Sequence, residues 1–573
     1  MANSEDTDGP PPSSLIELRV LEGPNLYFPK AAIKLTLDVS ALMSVSEQAA
    51  SRFARRIGLS SLRPGEANSG FRQWFAARAS ARLLRQIAAE AGNHRLAVRV
   101  RPTNDVQHLV VAYPWRNKGR AEALGRAVAA VLDDLPATDI DGLVGAAAAQ
   151  VRRAGLGPRP TTLTPKIPLI AVTGTNGKTT TSRMLGHIGR AAGLHVGWSS
   201  TDGIYYDGEL IEAGDYSGPS GAGRVLSQPG VQLAVTETAR GGILFKGIGV
   251  RHNDVSVVTN VSADHLGMQG IDTVDQLAEV KAVVPRITRP SGWAVLNGDD
   301  PRVFAMRSVI VARPWVFSRD ADSPSLREVV GHGGRATTVI DGWICVLSPG
   351  ADPEPLLPVV DVPMTVAGLS RVNVENALAA ASAALGAGLP RAAVIEGLRT
   401  FQPDARHNPG RMNVYSLRGF TVVVDLAHNE AGLEALVEVM DGLRLPGCRT
   451  LLVLGTAGDR SDDLLRSLGE KGARDTDEMV IVHKVRYLRG RDPDEMTAVY
   501  LEGAAKVGVT DVRSFGSEME GFLELVHRAT TGDVVGAMSH ADLQQIGGWL
   551  LAQGATVDSH ETLRGKVQAA QQH

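Results

Sequence analysis

The sequence predicts an α/β protein in which a small α+β domain precedes two domains built on parallel sheets. The first observation is length, because 573 residues are enough for roughly three or four domains. The second is the alternation of strand-like apolar runs with helical stretches after about residue 167, which is typical of parallel sheets with crossover helices. The third is composition, since 43% hydrophobic residues and 62 glycines suit an ordinary globular α/β chain.

Charge and cysteine content exclude several classes of protein. Fifty-nine Lys and Arg against 62 Asp and Glu give a formal charge of −3, which does not favour nucleic acid binding. Cys345 and Cys448 are too isolated to indicate a disulfide framework or a metal cluster. The N-terminus lacks the basic and apolar start of a signal peptide, and no apolar run has the length of a membrane span. We therefore expect a cytoplasmic protein with no nucleic acid partner and no membrane partner.

The chain divides by composition and pattern into five segments. Residues 1–14 are polar and Pro-rich, which predicts a disordered tail. Residues 15–153 combine alternating strand patterns with Ala-, Leu- and Arg-rich helical stretches, and they form the predicted α+β domain. The Gly-, Pro- and Thr-rich residues 154–166 predict a linker. Residues 167–365 and 366–573 each alternate strands with helices, which predicts a central domain and a C-terminal Rossmann-like domain.

The most specific local pattern is AVTGTNGKTTTS, from Ala171 to Ser182. An apolar strand precedes it and a helix-like stretch follows. In this arrangement, the backbone N–H groups at the start of the helix bind phosphate. Lys178 supplies a positive charge for phosphate, and Thr179 supplies a hydroxyl ligand for Mg²⁺. The general phosphate loop has a glycine five positions before Gly177, where this chain has Val172. The residues alone therefore leave a phosphate site and a structural turn both open.

Polar residues also follow later strands of the central domain, at the sheet edge where parallel sheets bind ligands. Glu237 ends a strand and carries a carboxylate that suits Mg²⁺. His265 follows the next strand, where a metal ligand and a capping or packing histidine are both open interpretations. Lys281 lies on an apolar helix face, for which a surface lysine with a buried stem is the simpler interpretation.

Six segments together resemble the Mur ligase superfamily of ATP-dependent amide ligases. They occur in the order and rough spacing of that family, over about residues 165–545. The segments are VTGTNGKTT, ETARGG, TNVSADHLG, LNGDDP, NPGRMN and DLAHNEAG. The phosphate loop of that family, G-T-N-G-K-[ST]-T, requires only Gly174 and Gly177, which accounts for Val172. The resemblance implies a Mur-type central ATPase domain and a Mur-type C-terminal domain.

Within the superfamily, the chain is most similar to the Mur-like half of the cyanophycin synthetase family. The segments STDGIYYDGE, ETARGGIL, NPGRMN and YLRGRDPDE carry this similarity. Residues 16–150, with LEGPNLYFPK, also resemble the N-terminal domain of that family. An ATP-grasp domain separates the two parts in that family, whereas a short linker joins them here. The resemblance therefore implies the ligase half without the half that extends an aspartate backbone.

The resemblance implies a reaction in which ATP phosphorylates a carboxylate and an amine then attacks the acyl phosphate. An amino acid such as arginine would be joined to an aspartate side chain of a peptide, a polymer or a small acid supplied from elsewhere. The alternatives are another Mur-type ligation, of a peptidoglycan precursor or a polyglutamate, and a non-catalytic nucleotide-binding assembly subunit. The family also implies a homo-oligomer, either a dimer or a tetramer.

The resemblance places ATP between the phosphate loop and residues of the C-terminal domain. The implied nucleotide-binding residues are Gly174, Thr175, Asn176, Gly177, Lys178, Thr179, Thr180, Asn297, Arg411 and Asp425. Among these, Asn297 would face adenine, Arg411 the phosphates and Asp425 the ribose. A helix N-cap following a strand remains the alternative for Asp425.

The resemblance also implies two Mg²⁺ ions and a set of catalytic residues. The implied metal ligands are Thr179, Glu237, His265 and Lys281, with Lys281 carbamylated so that it presents a carboxylate. The implied catalytic residues are Lys178, Glu237, His265, Lys281 and Arg411. Substrate binding is assigned to Arg240, His428, Asn429, Asp459, Arg460 and Arg489. A charged protein surface in contact with solvent explains the presence of the arginines around Arg489 equally well.

Overall fold

A computed structural model describes residues 12–135, 137, 139–264 and 266–572. The chain divides into two compact units that interleave along the sequence. The first unit contains Met1–Lys166, Tyr216–Arg224 and Thr238–His252, and the second contains Ile167–Asp215, Val225–Glu237 and Asn253–His573. Among the described residues, no helix combines the length and the apolar character that a membrane span needs.

The first unit is built on a four-stranded antiparallel sheet with the strand order β1-β2-β4-β3. The strands are β1 (Leu15–Leu21), β2 (Ala32–Asp38), β3 (Arg99–Pro102) and β4 (His108–Pro114). The helices are α1 (Ser40–Ser44), α2 (Glu47–Arg56), α3 (Gly70–Glu90), α4 (Lys118–Asp133) and α5 (Ile140–Arg153). Strand β2 alternates in burial, and Ile33, Leu35 and Leu37 are fully buried in the core that the helices cover. The predicted small α+β domain is confirmed.

The chain is ordered slightly before the predicted start of this domain. Residues 1–11 of the predicted tail lie outside the described residues. The backbone N–H groups of Ser13 and Ser14 both donate to the carboxylate of Asp133, at 2.7 Å each. The end of the predicted tail is therefore part of the folded unit.

The central part of the second unit is an eleven-stranded sheet with the order β15-β14-β13-β12-β11-β10-β5-β9-β6-β7-β8. The strands are β5 (Leu169–Thr173), β6 (Val196–Ser199), β7 (Gly203–Tyr206), β8 (Glu209–Ala213), β9 (Leu233–Glu237), β10 (Asn253–Val258), β11 (Thr288–Asn297), β12 (Arg313–Phe317), β13 (Arg335–Ile340), β14 (Trp343–Leu347) and β15 (Glu354–Pro358). The strands from β13 to β6 in this order pair in parallel, and antiparallel strands flank them on both sides.

Helices connect these strands, as the predicted crossover pattern requires. They are α6 (Lys178–Ala191), α7 (Pro219–Ser227), α8 (Arg240–Phe245), α9 (Val274–Lys281), α10 (Val283–Arg286), α11 (Pro301–Ala305) and α12 (Pro324–Gly331). Two further helices, α13 (Arg371–Gly386) and α14 (Arg391–Thr400), follow the last strand of this sheet. Helix α8 belongs to the first compact unit, although its sequence lies between strands of the central sheet.

A seven-stranded sheet forms the C-terminal part of the second unit, with the order β20-β19-β18-β21-β17-β16-β22. Its strands are β16 (Asn413–Leu417), β17 (Phe420–Asp425), β18 (Thr450–Leu454), β19 (Glu478–Val482), β20 (Ser514–Phe515), β21 (Val534–Met538) and β22 (Thr556–Val557). Its helices are α15 (Glu430–Leu443), α16 (Asp462–Asp475), α17 (Pro493–Ala505), α18 (Glu518–Arg528), α19 (Leu543–Ala552) and α20 (His560–Gln571). The strands from β20 to β17 are parallel, so the predicted second parallel sheet is confirmed.

Helix α6, which follows the predicted phosphate loop, is held by close packing against α14. A Cβ atom placed on Gly397 would lie 2.7 Å from the Cα atom of Ile188 in α6. Only glycine lets the two helix backbones approach this closely. The position of the phosphate loop therefore depends on a glycine more than two hundred residues away in the sequence.

We predict that Gly397→Ala lowers the stability of the second unit by up to about 2 kcal/mol. Overpacking costs about 1–3 kcal/mol, and the better helix propensity of alanine offsets about 1 kcal/mol of it. The measurement is the unfolding midpoint in a calorimetric scan. Gly565→Ala is the matched control, because nothing lies within 4 Å of a Cβ atom at this exposed position in α20. A Gly397→Ala midpoint at or above that of Gly565→Ala would contradict the packing argument.

Candidate active site

Two glycines shape the turn between β5 and α6. Gly177 caps α6 with a φ of 84°, and a Cβ atom there would lie 2.2 Å from Oδ1 of Asn376. Gly174 has a φ of 152°, and a Cβ atom there would lie 1.8 Å from Oγ1 of Thr259. Both positions therefore require glycine for conformation and for space. Val172 instead lies inside β5 and is fully buried, so the general phosphate-loop glycine has no role at that position.

The turn is tied to the end of the neighbouring strand β10. The backbone N–H of Thr175 donates to the carbonyl of Asn260, and that of Asn176 donates to Oδ1 of Asn260, each at 2.9 Å. The hydroxyl of Thr259 donates to the carbonyl of Asn176 at 2.6 Å. These bonds hold the backbone of the turn in one conformation beside the N-terminus of α6, where anions bind.

Thr179 and Glu237 form the predicted metal-binding pair. The Thr179 hydroxyl donates to Oε2 of Glu237 at 2.9 Å, and Glu237 is only 1% exposed. Its second oxygen, Oε1, has no hydrogen-bond partner among the described residues. Burial raises the pKa of Glu237, although Lys178, the Thr179 hydroxyl and Arg411 act in the opposite direction. A hydroxyl beside a buried carboxylate with a free oxygen is a donor set that fits Mg²⁺.

Two lysines contact the same turn from different elements. Nζ of Lys178 donates to the carbonyl of Thr175 at 2.8 Å, and Nζ of Lys281 donates to the carbonyl of Gly174 at 2.6 Å. Lys281 is 3% exposed, so the interpretation as a surface lysine is wrong. His265 lies outside the described residues. Within the described chain, no group of three or more His, Cys, Asp or Glu side chains is placed to hold a metal by itself.

Asn297, at the end of β11, is placed next to the strand that supports the turn. Its Nδ2 atom donates to the carbonyl of Thr259 at 2.8 Å, and its Oδ1 accepts the N–H of Asp299 at 2.8 Å. The hydroxyl of Thr259 bonds the turn, so Asn297 is connected to the turn through Thr259. The structure therefore brings Asn297 to the predicted nucleotide side of the site.

Arg411 and Asp425 place opposite charges from the C-terminal sheet in the same region. Asp425 is the last residue of β17, and its carboxylate accepts the N–H of Met412 at 2.9 Å. Burial raises the pKa of Asp425, whereas Arg411 acts to lower it. Burial also lowers the pKa of Arg411, and Asp425 and Glu237 act to raise it. Each group thus offsets part of the cost of burying the other.

Asn429 joins the C-terminal sheet directly to the phosphate loop. Its Nδ2 donates to Oδ1 of Asn176 at 3.0 Å, and Nδ2 of Asn176 approaches Oδ1 of Asn429 at 3.4 Å. The same Oδ1 accepts the N–H of Gly432 and caps α15. The neighbouring His428 is held by the carbonyl of Leu426, and burial lowers its pKa to about 4, which keeps the ring neutral at pH 7.

A cavity of about 640 Å³ opens beside Asn429, and this volume suits a small-molecule ligand. It lies between residues 262–264, 266–268, 429–434 and 458–464. Its lining carries five carboxylates, those of Asp264, Glu430, Glu434, Asp459 and Asp463. Arg460 is the basic residue of the lining, and its Nη1 lies 3.6 Å from Oδ1 of Asp264. The cavity is therefore strongly acidic with one guanidinium, and it brings together the predicted Asn429, Asp459 and Arg460.

Three predicted substrate-binding residues, Arg240, His428 and Arg489, are not in the lining of this cavity, although His428 directly precedes the lining residue Asn429. Arg489 is exposed, and its guanidinium lies 6.0 Å from the ring centre of Tyr487. Arg240 begins α8 and belongs to the first compact unit. A role of Arg240 or Arg489 in substrate binding stays a prediction.

Sequence reasoning missed a buried charged cluster at the carboxyl ends of β19 and β21. Lys484 is 1% exposed, and its Nζ lies 3.3 Å from Oε1 of Glu518 and donates to the carbonyl of Met538 at 3.1 Å. Burial lowers the pKa of Lys484, and Glu518 acts against this shift. His540 contacts Lys484 and also has a pKa well below its usual value because it is buried. Lys484 and His540 each follow a strand by two residues, the same signal that identified Glu237.

Sequence reasoning also missed a polar connection on α6. Nδ2 of Asn408 donates to Oγ1 of Thr180 at 3.2 Å, and Nη1 of Arg183 donates to Oδ1 of Asn408 at 3.0 Å. Arg183 is buried and forms an ion pair with Asp202. Asn408 and Asp202 belong to the segments NPGRMN and STDGIYYDGE. Only the three-dimensional structure shows that both contact Arg183.

Comparison with known proteins identifies the family of the chain. The profile of the Mur ligase middle domain matches residues 172–384, and that of the Mur ligase glutamate ligase domain matches residues 410–540. Cyanophycin synthetase from Synechocystis sp. is 41% identical over 341 residues, which cover 59% of this chain and 38% of that protein. UDP-N-acetylmuramoyl-L-alanyl-D-glutamate–2,6-diaminopimelate ligase from Corynebacterium efficiens is 30% identical over 397 residues, covering 66% of this chain and 70% of that protein.

Solved structures of similar fold include E. coli FolC in complex with DHPP and ADP. That match has a TM-score of 0.48 and 20% identity, and it covers 68% of this chain and 90% of that chain. The chain spans 38% of the length of the cyanophycin synthetase it matches. The two matched family regions contain all the predicted site residues, from Gly174 to Arg489. The resemblance that the motifs indicate is confirmed, and the chain belongs to the Mur ligase family.

Proposed function

We propose that this protein is an ATP-dependent ligase that joins a carboxylate to an amine through an acyl phosphate and releases ADP. The observation that supports this most directly is the pair of contacts between Asn176 and Asn429. They bring a phosphate loop of one parallel sheet against an acidic cavity at the edge of another. A nucleotide and an amine substrate bound at these two places would face the same space.

The chain's own residues suit the transfer of a phosphoryl group. Lys178 and the N-terminus of α6 bind the phosphates of ATP and stabilise the charge that develops during transfer. Arg411 approaches from the C-terminal sheet and adds a second cation. Thr179 and Glu237 would hold Mg²⁺, which neutralises phosphate charge when bound. Asp425 and Asn297 flank the site and would position the ribose and the adenine.

Lys281 would contribute to the part of the site that binds the metal and the phosphates. Its ammonium group reaches the carbonyl of Gly174, inside the turn that binds phosphate. A neutral lysine amine that captures CO₂ becomes a carbamate, which offers Mg²⁺ the oxygen ligand it prefers. We infer that Lys281 carries this modification in the active enzyme and supports a second Mg²⁺ together with His265.

The acidic cavity suits an amine substrate that carries a further positive charge. The carboxylates of Glu430, Glu434 and Asp459 would attract a guanidinium or a second ammonium group. Arg460 would bind the substrate's α-carboxylate as a bidentate partner. Arginine and similar basic amino acids have this charge pattern. His428 is neutral and lies next to Asn429, where it is suited to orient the uncharged amine.

The carboxylate substrate has to be protected from water once it is activated. An acyl phosphate hydrolyses if water reaches it, and the contacts of Asn429 with the loop close the site on one side. The matched part of the cyanophycin synthetases is the part that carries these residues. We propose that the acid is an aspartate side chain of a peptide or polymer, or a small acid, made elsewhere.

We predict that purified protein releases phosphate from ATP only when an acid and an amine are both present. Lys178→Ala should lower this rate about 100-fold or more, because one preorganised charge at the transferring phosphate is lost. The measurement is a phosphate-release screen with Mg²⁺, aspartate-containing peptides and basic amino acids. The control is Lys30→Ala, a change at an exposed lysine of the first unit. Tight ATP binding without turnover for any substrate pair would favour a non-catalytic nucleotide-binding subunit.

We predict that activity depends on bicarbonate and that Lys281→Ala removes this dependence together with most of the activity. The physical reason is that alanine cannot form the carbamate that would bind Mg²⁺. The measurements are the rate with and without added bicarbonate, and the ¹³C NMR signal of a carbamate after addition of labelled bicarbonate. Lys506→Ala serves as the control, since this exposed lysine pairs with Glu470, which is neither in the turn nor in the cavity lining. Full activity of Lys281→Ala would refute the assignment.

We predict that Asp459→Asn raises KM for arginine about tenfold and leaves KM for ATP unchanged. A hydrogen bond to a charged partner contributes about 1.5–3 kcal/mol, so its weakening is measurable in KM. The assay is steady-state phosphate release at saturating ATP and acid. Asp494→Asn in α17 is the control, because its side chain is not part of the cavity lining. An equal change of KM for arginine in both variants would exclude a direct contact with Asp459.

A further inference from the structure

A second cavity of about 450 Å³ lies beyond the first turn of α6 and has no role in the ligation described above. One wall is a single face of α6, carrying Arg183, His187 and Arg190, which are three or four residues apart. The second wall is the turn between β7 and β8, and the third is residues 401–409, which connect α14 to β16. The volume is within the range of small-molecule sites.

The charge of this cavity comes from three guanidinium groups on two different walls. Arg183 is buried, and its charge is already paired with Asp202. Arg190 and Arg406 are exposed to the cavity side, and neither forms an ion pair with any residue that the structure describes. Glu209 supplies the carboxylate among the lining residues. Two arginines without an ion-pair partner among the described residues therefore line one cavity, one from α6 and one from the segment 401–409.

The histidines of the cavity do not add to this positive charge. Burial lowers the pKa of His187 to about 4, so its ring is neutral at pH 7 and accepts or donates a bond with the Thr400 hydroxyl at 2.8 Å. His407 lies 2.8 Å from the carboxylate of Asp404, which balances its charge when it is protonated. The unpaired positive charge of the site is thus that of Arg190 and Arg406, which exceeds the single negative charge of Glu209.

The guanidinium of Arg190 lies close to the β7–β8 turn. Gly208 has a φ of 96°, a conformation that favours glycine, and a Cβ atom there would lie 2.4 Å from Nη1 of Arg190. The side chain of Arg190 is exposed, and its guanidinium is free to turn toward a ligand in the cavity.

We propose that this cavity is a binding site for a small dianion, either a dicarboxylate or a phosphate, held between Arg190 and Arg406. A guanidinium matches the geometry of both oxyanions with two parallel hydrogen bonds. Trp198, Phe401 and Leu210 form apolar parts of the wall and would cover the carbon part of an organic ligand. This proposal does not depend on the ligase activity.

The bound anion would connect α6 to the segment that carries Arg411. The segment 401–409 includes Asn408, which bonds both Thr180 and Arg183 of α6, and it leads directly to Arg411. An anion between Arg190 and Arg406 adds a second link between the same two elements. Occupancy of the cavity would therefore restrict the position of Arg411 relative to the phosphate loop.

The test is isothermal titration of the full chain with succinate and, separately, with inorganic phosphate. The two probes distinguish a carboxylate ligand from a phosphate ligand. The double variant combines Arg190→Gln with Arg406→Gln. Arg327→Gln is the control, at an exposed arginine outside the cavity. Lys178→Ala removes binding at the phosphate loop. Hydrogen exchange of residues 401–411 is followed with each probe.

We expect at least one probe to bind the wild type, Arg327→Gln and Lys178→Ala, and to bind the double variant at least tenfold more weakly. The same probe should slow hydrogen exchange of residues 401–411 in the wild type and not in the double variant. Absence of binding of both probes, or equal affinity for the double variant, would overturn the proposal. Binding that disappears in Lys178→Ala and persists in the double variant would assign the anion to the phosphate loop instead.

Discussion

The narrow turn between β5 and α6 is the constraint on which the rest of the site depends. Gly174 and Gly177 leave room for Thr259 and Asn376, which press against the turn from two other elements. The hydrogen bonds of Asn260 then hold the backbone in the conformation that leaves the start of α6 open to an anion. Any side chain at these glycines would displace the residues that support the turn.

Charge burial is the second physical feature that the site requires. Glu237, Lys281 and Asp425 are all nearly inaccessible to water, and an isolated buried charge is costly. Each of them lies near an opposite charge or a backbone group, and removing one partner of a buried pair typically costs about 3–5 kcal/mol. The central and C-terminal sheets supply these partners together, so neither sheet forms the site alone. Burial raises the pKa of Asp425 and lowers that of Arg411, and the attraction between the two groups opposes both shifts.

The two cavities of the second unit differ in charge and in the elements that line them. The lining of the acidic cavity includes Asn429, which is hydrogen-bonded to Asn176 in the turn before α6. The cavity of Arg190 and Arg406 is lined by α6 itself and by the segment before Arg411. Asn408 is bonded to Thr180 and Arg183, and it therefore joins that segment to the first half of α6. Both cavities are thus connected to α6 or to the turn that precedes it.

The sequence by itself determined the fold class, the glycine-rich turn before α6 and the family, because these depend on local period and on short motifs. Alternating strands and helices predict parallel sheets, and Gly174, Gly177, Lys178 and Thr179 stand close together in the chain. Only the tertiary structure decided that Lys281 reaches the turn, that Asn176 meets Asn429, and that Lys484 and His540 are buried beside Glu518. Such contacts join residues from distant segments, and a charged side chain has the same local pattern whether it lies on a surface or in a core.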